Sequence, residues 1–274
     1  LSNGLSVTVT PGHTMLKIHN DELINIPAGE LKIGDWLPVQ VGQNEVSEEV
    51  KIHVDDKNKF GKKLAGKVPE TLNEDLAWMT GLLIGDGNIR KNNLTVRFVA
   101  DPVIEKKIRK VVKRVFNLKV TSTSPGNTDK VKHVEIHSTM AVRVFEHIGV
   151  LRNEAKLRVP KLIFRSPSKV VRAFLNGLWD ADGYLPQNIL ITYLSAISWR
   201  LGEDVCALLH WIGDTAIIRK IDSKKYKPKV HYNVQPIYRI HWYPNSPQKN
   251  SDYMLLLKSK LRNHTVIINI EQIN

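Results

Sequence analysis

One pattern occurs twice in this chain, and that repetition limits the possible folds more than any other feature. Gly81-Leu82-Leu83-Ile84-Gly85-Asp86-Gly87 and Gly177-Leu178-Trp179-Asp180-Ala181-Asp182-Gly183 both end an apolar helical run on Asp-Gly, and they lie 96 residues apart (183 − 87). Self-similarity at a fixed offset outweighs any single element, and here the flanking order repeats too. The first copy is followed by a strand-like run Leu94 to Val99, a basic helix Pro102 to Phe116, a hairpin candidate at Pro125-Gly126-Asn127, a strand Lys132 to His137 and a helix Thr139 to Ile148. The second is followed by a strand Ile189 to Leu194, a helix Ser198 to Ile212, strands Ala216 to Ile221 and Tyr238 to Trp242 around a basic loop, and a helix Tyr253 to Lys260. Thr71 with Glu74 reads as a capping box opening the first motif helix, and the second runs from Val171 to Asp182. The expected unit is helix, strand pair, helix, strand pair, helix, present twice.

Gly81, Gly85, Gly177 and Ala181 let two helices meet backbone to backbone, while the Asp at each helix end projects beyond the contact. Two carboxylates that close repel unless a cation or protons intervene, which points to a Mg²⁺ site built from carboxylate, carbonyl and water oxygens. Such a site activates water and steadies the charge of phosphodiester hydrolysis. A net charge of +13, from 40 Lys plus Arg against 27 Asp plus Glu, favours a polyanionic partner. The single Cys206 excludes an intramolecular disulfide and a cysteine-rich zinc site, and fits a reducing cytoplasmic setting with access to chromosomal DNA. No apolar run reaches the roughly 18 residues of a membrane helix, and Leu1 to Thr10 does not read as a signal peptide.

The two helix ends resemble the LAGLIDADG motif of homing endonucleases, the second closely across Phe174 to Gly183 and the first with Ile84 where the motif's earlier Asp would stand. The resemblance implies an α+β fold of duplicated αββαββα halves with pseudo-two-fold symmetry, spanning 71–165 and 166–262. It implies double-strand DNA cleavage at Asp86 and Asp182 with Mg²⁺, Mn²⁺ being a possible substitute, and metal contacts from the carbonyls of Gly85 and Ala181. A lysine near each centre is also implied, and the paired Lys156-Leu157-Arg158 and Lys260-Leu261-Arg262 supply Lys156 and Lys260. DNA would lie along the two sheets, a long asymmetric site held by a monomer. Arg97, Lys132, His133, Arg219, Lys220, Lys224, Lys225, Lys227, Lys229 and Arg239 are the candidate contacts.

Outside the halves, Leu5 to Thr10, Leu16 to His19 and Trp36 to Val41 read as short strands, and the charged stretch 46–70 as a surface connection. Val9-Thr10-Pro11-Gly12-His13 with Ile26 to Asp35 resembles the start of an intein (Hint) splicing domain, in which Thr10 and His13 would activate a scissile peptide. Val266 to Ile273 resembles its returning strand, so residues 1–45 and 263–274 form a small all-β Hint-like fragment in this reading. Splicing requires Cys or Ser at residue 1 and a terminal His-Asn. This chain begins Leu1-Ser2 and ends Ile273-Asn274, so no peptide cleavage is expected of it. Three function classes stay open: a DNA endonuclease, an autoprocessing domain, and a non-cleaving nucleic-acid binder or maturase. Retention of both aspartates favours the first.

Overall fold

The computed structural model describes residues 1, 3–20, 22–39, 48–90, 94–124, 131–150, 157–184, 192–196, 198–221, 237–243 and 265–266. In chain order the elements are β1 (Thr14–His19), β2 (Glu22–Pro27), β3 (Trp36–Leu37), α1 (Glu74–Asp86), β4 (Gly87–Arg90), β5 (Thr95–Ala100), α2 (Pro102–Phe116), β6 (Thr121–Thr123), β7 (Lys132–His137), α3 (Thr139–Ile148), α4 (Ser168–Asp182), β8 (Gly183–Tyr184), β9 (Thr192–Ala196), α5 (Trp199–Trp211), β10 (Thr215–Ile221), β11 (Ile237–Tyr243) and β12 (Thr265–Val266). The duplicated αββαββα order is thus present in full in the first half and through β11 in the second; the expected helix Tyr253 to Lys260 and hairpin at residues 125–127 lie outside the described residues. No described helix is long and apolar enough to cross a membrane.

The chain divides into two compact units, residues 44–184 and residues 1–43 with 185–274. In the first, an antiparallel sheet of order β4-β5-β7-β6 turns one face, carrying Val96, Phe98, Val134 and Ile136, towards the helices. The α2 boundaries follow from local chemistry: Asp101 accepts from the Val103 and Ile104 amides, Pro102 takes the first turn, and Asn117 ends the helix in the left-handed region at φ 55°. Ile108, Val111, Val112 and Val115 then form its buried stripe. The α1 helix starts later than its capping-box pattern implies. Thr71 is held in a bridge to Lys51, and Asn73 caps the helix by accepting from the Leu76 amide.

In the second unit, β1 and β2 form a hairpin in register from Thr14↔Pro27 to His19↔Glu22, with Asn20 at φ 51° in the turn. The β2 strand was absent from the sequence expectation. Conversely, Leu5 to Thr10 is not a strand: the Leu1 amino group donates to the Leu5 carbonyl and the Leu5 amide to Asn3 Oδ1, so the chain curls before any ladder forms. Of the expected strand Trp36 to Val41, Trp36–Leu37 forms and the pairing stops ahead of Pro38, which has no amide hydrogen to give; residues 40 and 41 lie outside the described residues. A second antiparallel set has β11 between β10 and β9, with Leu194, Ala216, Ile218 and Ile240 buried on the face that packs on α5. Cys206 of α5 is buried there, and burial drives its thiol pKa upward.

Candidate functional site

The two motif helices touch through their backbones. A Cβ on Gly81 would stand 2.0 Å from the Phe174 carbonyl oxygen, and one on Gly177 would stand 1.9 Å from that of Trp78. These reciprocal clashes involve main chain that no rotamer change can move, so the glycines are required by space. One turn on, a Gly85 Cβ would lie 2.4 Å from the Ala181 methyl and 3.1 Å from Asp182 Oδ2. The Asp182 carboxylate therefore sits over the last turn of α1, the turn that ends in Asp86.

Neither helix ends in the left-handed turn common after Asp-Gly. Gly87 (φ −112°) and Gly183 (φ −79°) are extended and lead directly into β4 and β8, their amides capping the Leu83 and Trp179 carbonyls. Asp86 and Asp182, both half-buried, are thus the final residues of two helices that converge at their C-terminal, electronegative poles. The Asp182 carboxylate thus lies against the negative end of α1, at a place that water still reaches. Carboxylate oxygens are the hard donors a divalent cation prefers. Among the described residues no group of three or more His, Cys, Asp or Glu side chains gathers as a cage.

The earlier acidic residue of the second motif has a different task. Asp180 Oδ2 accepts from Trp78 Nε1 at 2.7 Å and from Lys107 Nζ at 2.9 Å, while that ammonium lies 4.1 Å from the centre of the Trp78 ring. This three-element tie between α1, α2 and α4 was not foreseen. Its one trace in the sequence is the mismatch between Asp180 and Ile84, which is buried in the first motif.

Strand register sorts the candidate DNA contacts. Away from the helices, the β4-β5-β7-β6 sheet aligns Arg97 with Glu135 and Val99 with His133, while His137 lies opposite Thr95. Arg97 donates to Glu135, and His137 bridges the Thr95 and Thr121 hydroxyls at 3.0 Å each. In β10 and β11, Arg219 stands directly opposite Arg239, and His241 is next on the same face. Burial first, and then the two arginines, lower the His241 pKa to about 4. Lys132 and Lys220 belong to the opposite faces, because neighbours in a strand point apart. Lys132 lies 3.3 Å from Glu105 of α2, whose carboxyl is held below its ordinary pKa by Arg109 and then by Ser122 and Lys132. Lys220 shares the alternation of Ala216 and Ile218. Lys224, Lys225, Lys227, Lys229, Lys156 and Lys260 lie outside the described residues.

In the β1–β3 region the exposed Thr10 and His13 occupy one turn, closed by the His13 amide on the Thr10 carbonyl at 3.0 Å. Amides of Ala28 and Gly29 donate to the His13 and Pro11 carbonyls, both at 2.8 Å, so the two segments that carry the Hint resemblance are in contact. Lys17 pairs with Asp35 at 2.6 Å and pins the end of the second segment to β1. Thr265 and Val266 pair antiparallel with Leu37 and Trp36.

Comparison with known proteins matches residues 169–272 to the LAGLIDADG-like domain family. The chain is similar to an A-type ATP synthase subunit of Pyrococcus abyssi, 30% identical over 237 residues that make up 84% of this chain and 22% of that protein. It is similar to the replication factor C small subunit of Methanocaldococcus jannaschii, 30% identical over 218 residues, 75% of this chain and 11% of that protein. A third relative is the alpha subunit of the ribonucleoside-diphosphate reductase NrdEB of Bacillus subtilis, 26% identical over 261 residues, 86% of this chain and 22% of that protein. The chain therefore spans less than a quarter of the length of these relatives. Similar solved structures include I-DmoI in complex with DNA and Mn, with TM-score 0.44 and 16% identity over 62% of this chain and 90% of that one. The N-terminal LAGLIDADG domain of DUF199/WhiA has TM-score 0.42 and 10% identity over 67% of this chain and 79% of that one.

Proposed function

Starting from a chain that carries a LAGLIDADG-like domain, we propose a site-specific double-strand DNA endonuclease of the homing type that works with Mg²⁺ or Mn²⁺ at Asp86 and Asp182. The observation that carries this reading is the delivery of the Asp182 carboxylate onto the last turn of α1 by helices in backbone contact. In this reading Asp86 and Asp182, with the Gly85 and Ala181 carbonyls, hold the cation. A divalent cation there supplies an activated water and positive charge against the scissile phosphate. The glycine contact holds the two helices against each other, and the partial exposure of both aspartates admits a phosphate. Arg97, His133, Arg219 and Arg239 then face DNA from the sheets, Lys156 and Lys260 attend the reacting phosphates, and the halves span 71–165 and 166–262. The net charge of +13 supports a polyanionic substrate.

The reading extends to an inserted, intein-type element with 1–45 and 263–274 as its Hint-like part and 46–70 as a connection. Three relatives of unrelated activity contain this segment as a small fraction of their length, which suits an insertion and none of those activities. The docking of Pro11 and His13 on Ala28 and Gly29, and the pairing of β12 with β3, support it. A longer chain with restored flanks and intact Thr10 and His13 should release a flanking segment; no release from it would leave the endonuclease reading alone.

The primary test is cleavage of a plasmid library with Mg²⁺ or Mn²⁺ by the native chain, Asp86→Asn and Asp182→Asn. A unique double-strand cut that both substitutions abolish is the expected result. Binding without a cut, unchanged by either substitution, would make the aspartates structural and the protein a binder.

A further inference from the structure

The charged stretch before α1, expected to be a plain surface connection, is a tightly built hairpin. Lys57 and Lys63 bridge antiparallel, the Leu64 amide donates to the Asp56 carbonyl at 2.7 Å, and the Asn58 amide to that of Lys62 at 2.8 Å. Asn58 Oδ1 accepts from the Phe60 and Lys62 amides, and Gly61 takes φ 77° to close the tip. From α3, Arg143 Nη1 donates to the Asp55 and Lys57 carbonyls at 2.8 Å each, anchoring the base. On this fixed support Phe60 is 80% exposed, more than any other large hydrophobic side chain described, and Lys57, Lys59, Lys62 and Lys63 surround it, all exposed. Lys59 Nζ stands 4.9 Å from the centre of the ring, and Lys63 has only a loose pair with Asp56 at 3.7 Å.

A single exposed aromatic is ordinary on a protein surface; this one stands on a hydrogen-bonded tip with four exposed lysines in the same hairpin. The surrounding charge specifies the partner: phosphates for the ammonium groups and an apolar sugar or base edge for the ring. We propose that the Lys57–Lys63 hairpin is a second contact to double-stranded DNA, in which the four lysines grip phosphates and Phe60 packs into the groove between them. This rests on the DNA reading above and adds to it a contact away from the sheets.

The test measures binding of the full chain to a mixed-sequence duplex across a salt series. Replacing Lys57, Lys59, Lys62 and Lys63 by Ala should lower affinity at least about tenfold and flatten the plot of log K against log salt by about 3. Phe60→Ala should weaken binding several-fold at unchanged slope, and Phe60→Trp should restore it. Native affinity and slope in both the lysine and the Phe60→Ala variants would overturn the proposal alone, provided Asp86→Asn still abolishes cleavage. No duplex binding by the native chain would overturn the DNA reading as well. Phe60-dependent binding to anionic phospholipid vesicles, with duplex binding untouched by the variants, would assign the hairpin to a membrane surface and overturn it too.

Discussion

Along α1 every residue from Leu76 to Gly85 is buried, whereas its counterpart α4 leaves Asn176 and Asp180 exposed and only half-buries Trp179. The sheets diverge in the same way. In the first half Arg97 is matched by Glu135 across the strand pair, while in the second Arg219 is matched by another arginine. What the halves share is narrow: a glycine at the crossing and an Asp at the helix end. Both contacts lie where one half meets the other, so a change in one copy must be accommodated by its twin. Residues away from the crossing meet no such demand, and there the copies have separated into an apolar helix and an amphipathic one.

The largest effect should come from breaking the shared part. Gly81→Val and Gly177→Val each drive a side chain into a carbonyl about which nothing can rotate, so each should cost about 3 kcal/mol or more and shift the denaturant midpoint accordingly. A tolerated substitution at one position only would mean that the crossing is not reciprocal. Next, Asp86→Asn and Asp182→Asn should each reduce cleavage at least about a hundredfold without weakening DNA binding. If one variant still nicks a single strand, the carboxylates serve separate strands and the symmetry ends at the metal.

Asp180 tests the divergence itself. Asp180→Leu leaves the Trp78 indole without its acceptor and Lys107 without its partner, a loss of about 1–3 kcal/mol by chemical denaturation. Asp180→Asn keeps an acceptor for the indole and should cost below about 1 kcal/mol, since the ion pair is partly exposed. Equal losses in the two variants would make the ion pair, and not the indole hydrogen bond, the dominant tie.

These tests also mark what could be read without the fold. The glycines and terminal aspartates were legible because close backbone approach demands the absence of a side chain, a requirement visible in sequence. The α2 span was legible because Asp101, Pro102 and Asn117 are local signals. The Thr71 cap was misplaced because a bridge to Lys51 competes for that residue, and the Leu5 to Thr10 alternation failed because its residues turn on Asn3 instead of joining a ladder. The alternation that turns every second side chain to one face was legible, but which of Lys132 and His133, or of Arg219 and Lys220, lies away from the helices needed the strand register. The Trp78, Asp180 and Lys107 tie, across 102 and 73 residues of sequence, needed the helix crossing before it existed at all.

The two sheet faces supply the smaller predictions. Glu135→Ala removes the carboxylate on Arg97 and should raise duplex affinity a few-fold, whereas Arg239→Ala should lower it and flatten the salt dependence by about 1. Affinity unchanged in both variants would place DNA off these faces. The smallest effect concerns His241, whose pKa of about 4 means that it is neutral at pH 6 in the free protein. Burial is the larger cause of that low value and DNA leaves it in place, but a phosphate brought to Arg219 and Arg239 offsets the arginine part, so DNA should raise the pKa modestly. Binding then takes up a proton, and affinity should climb as pH falls through the raised value towards about 4. The His241→Gln variant should lose that part of the climb; an identical pH profile would mean that the bound phosphates do not reach this end of the arginine pair.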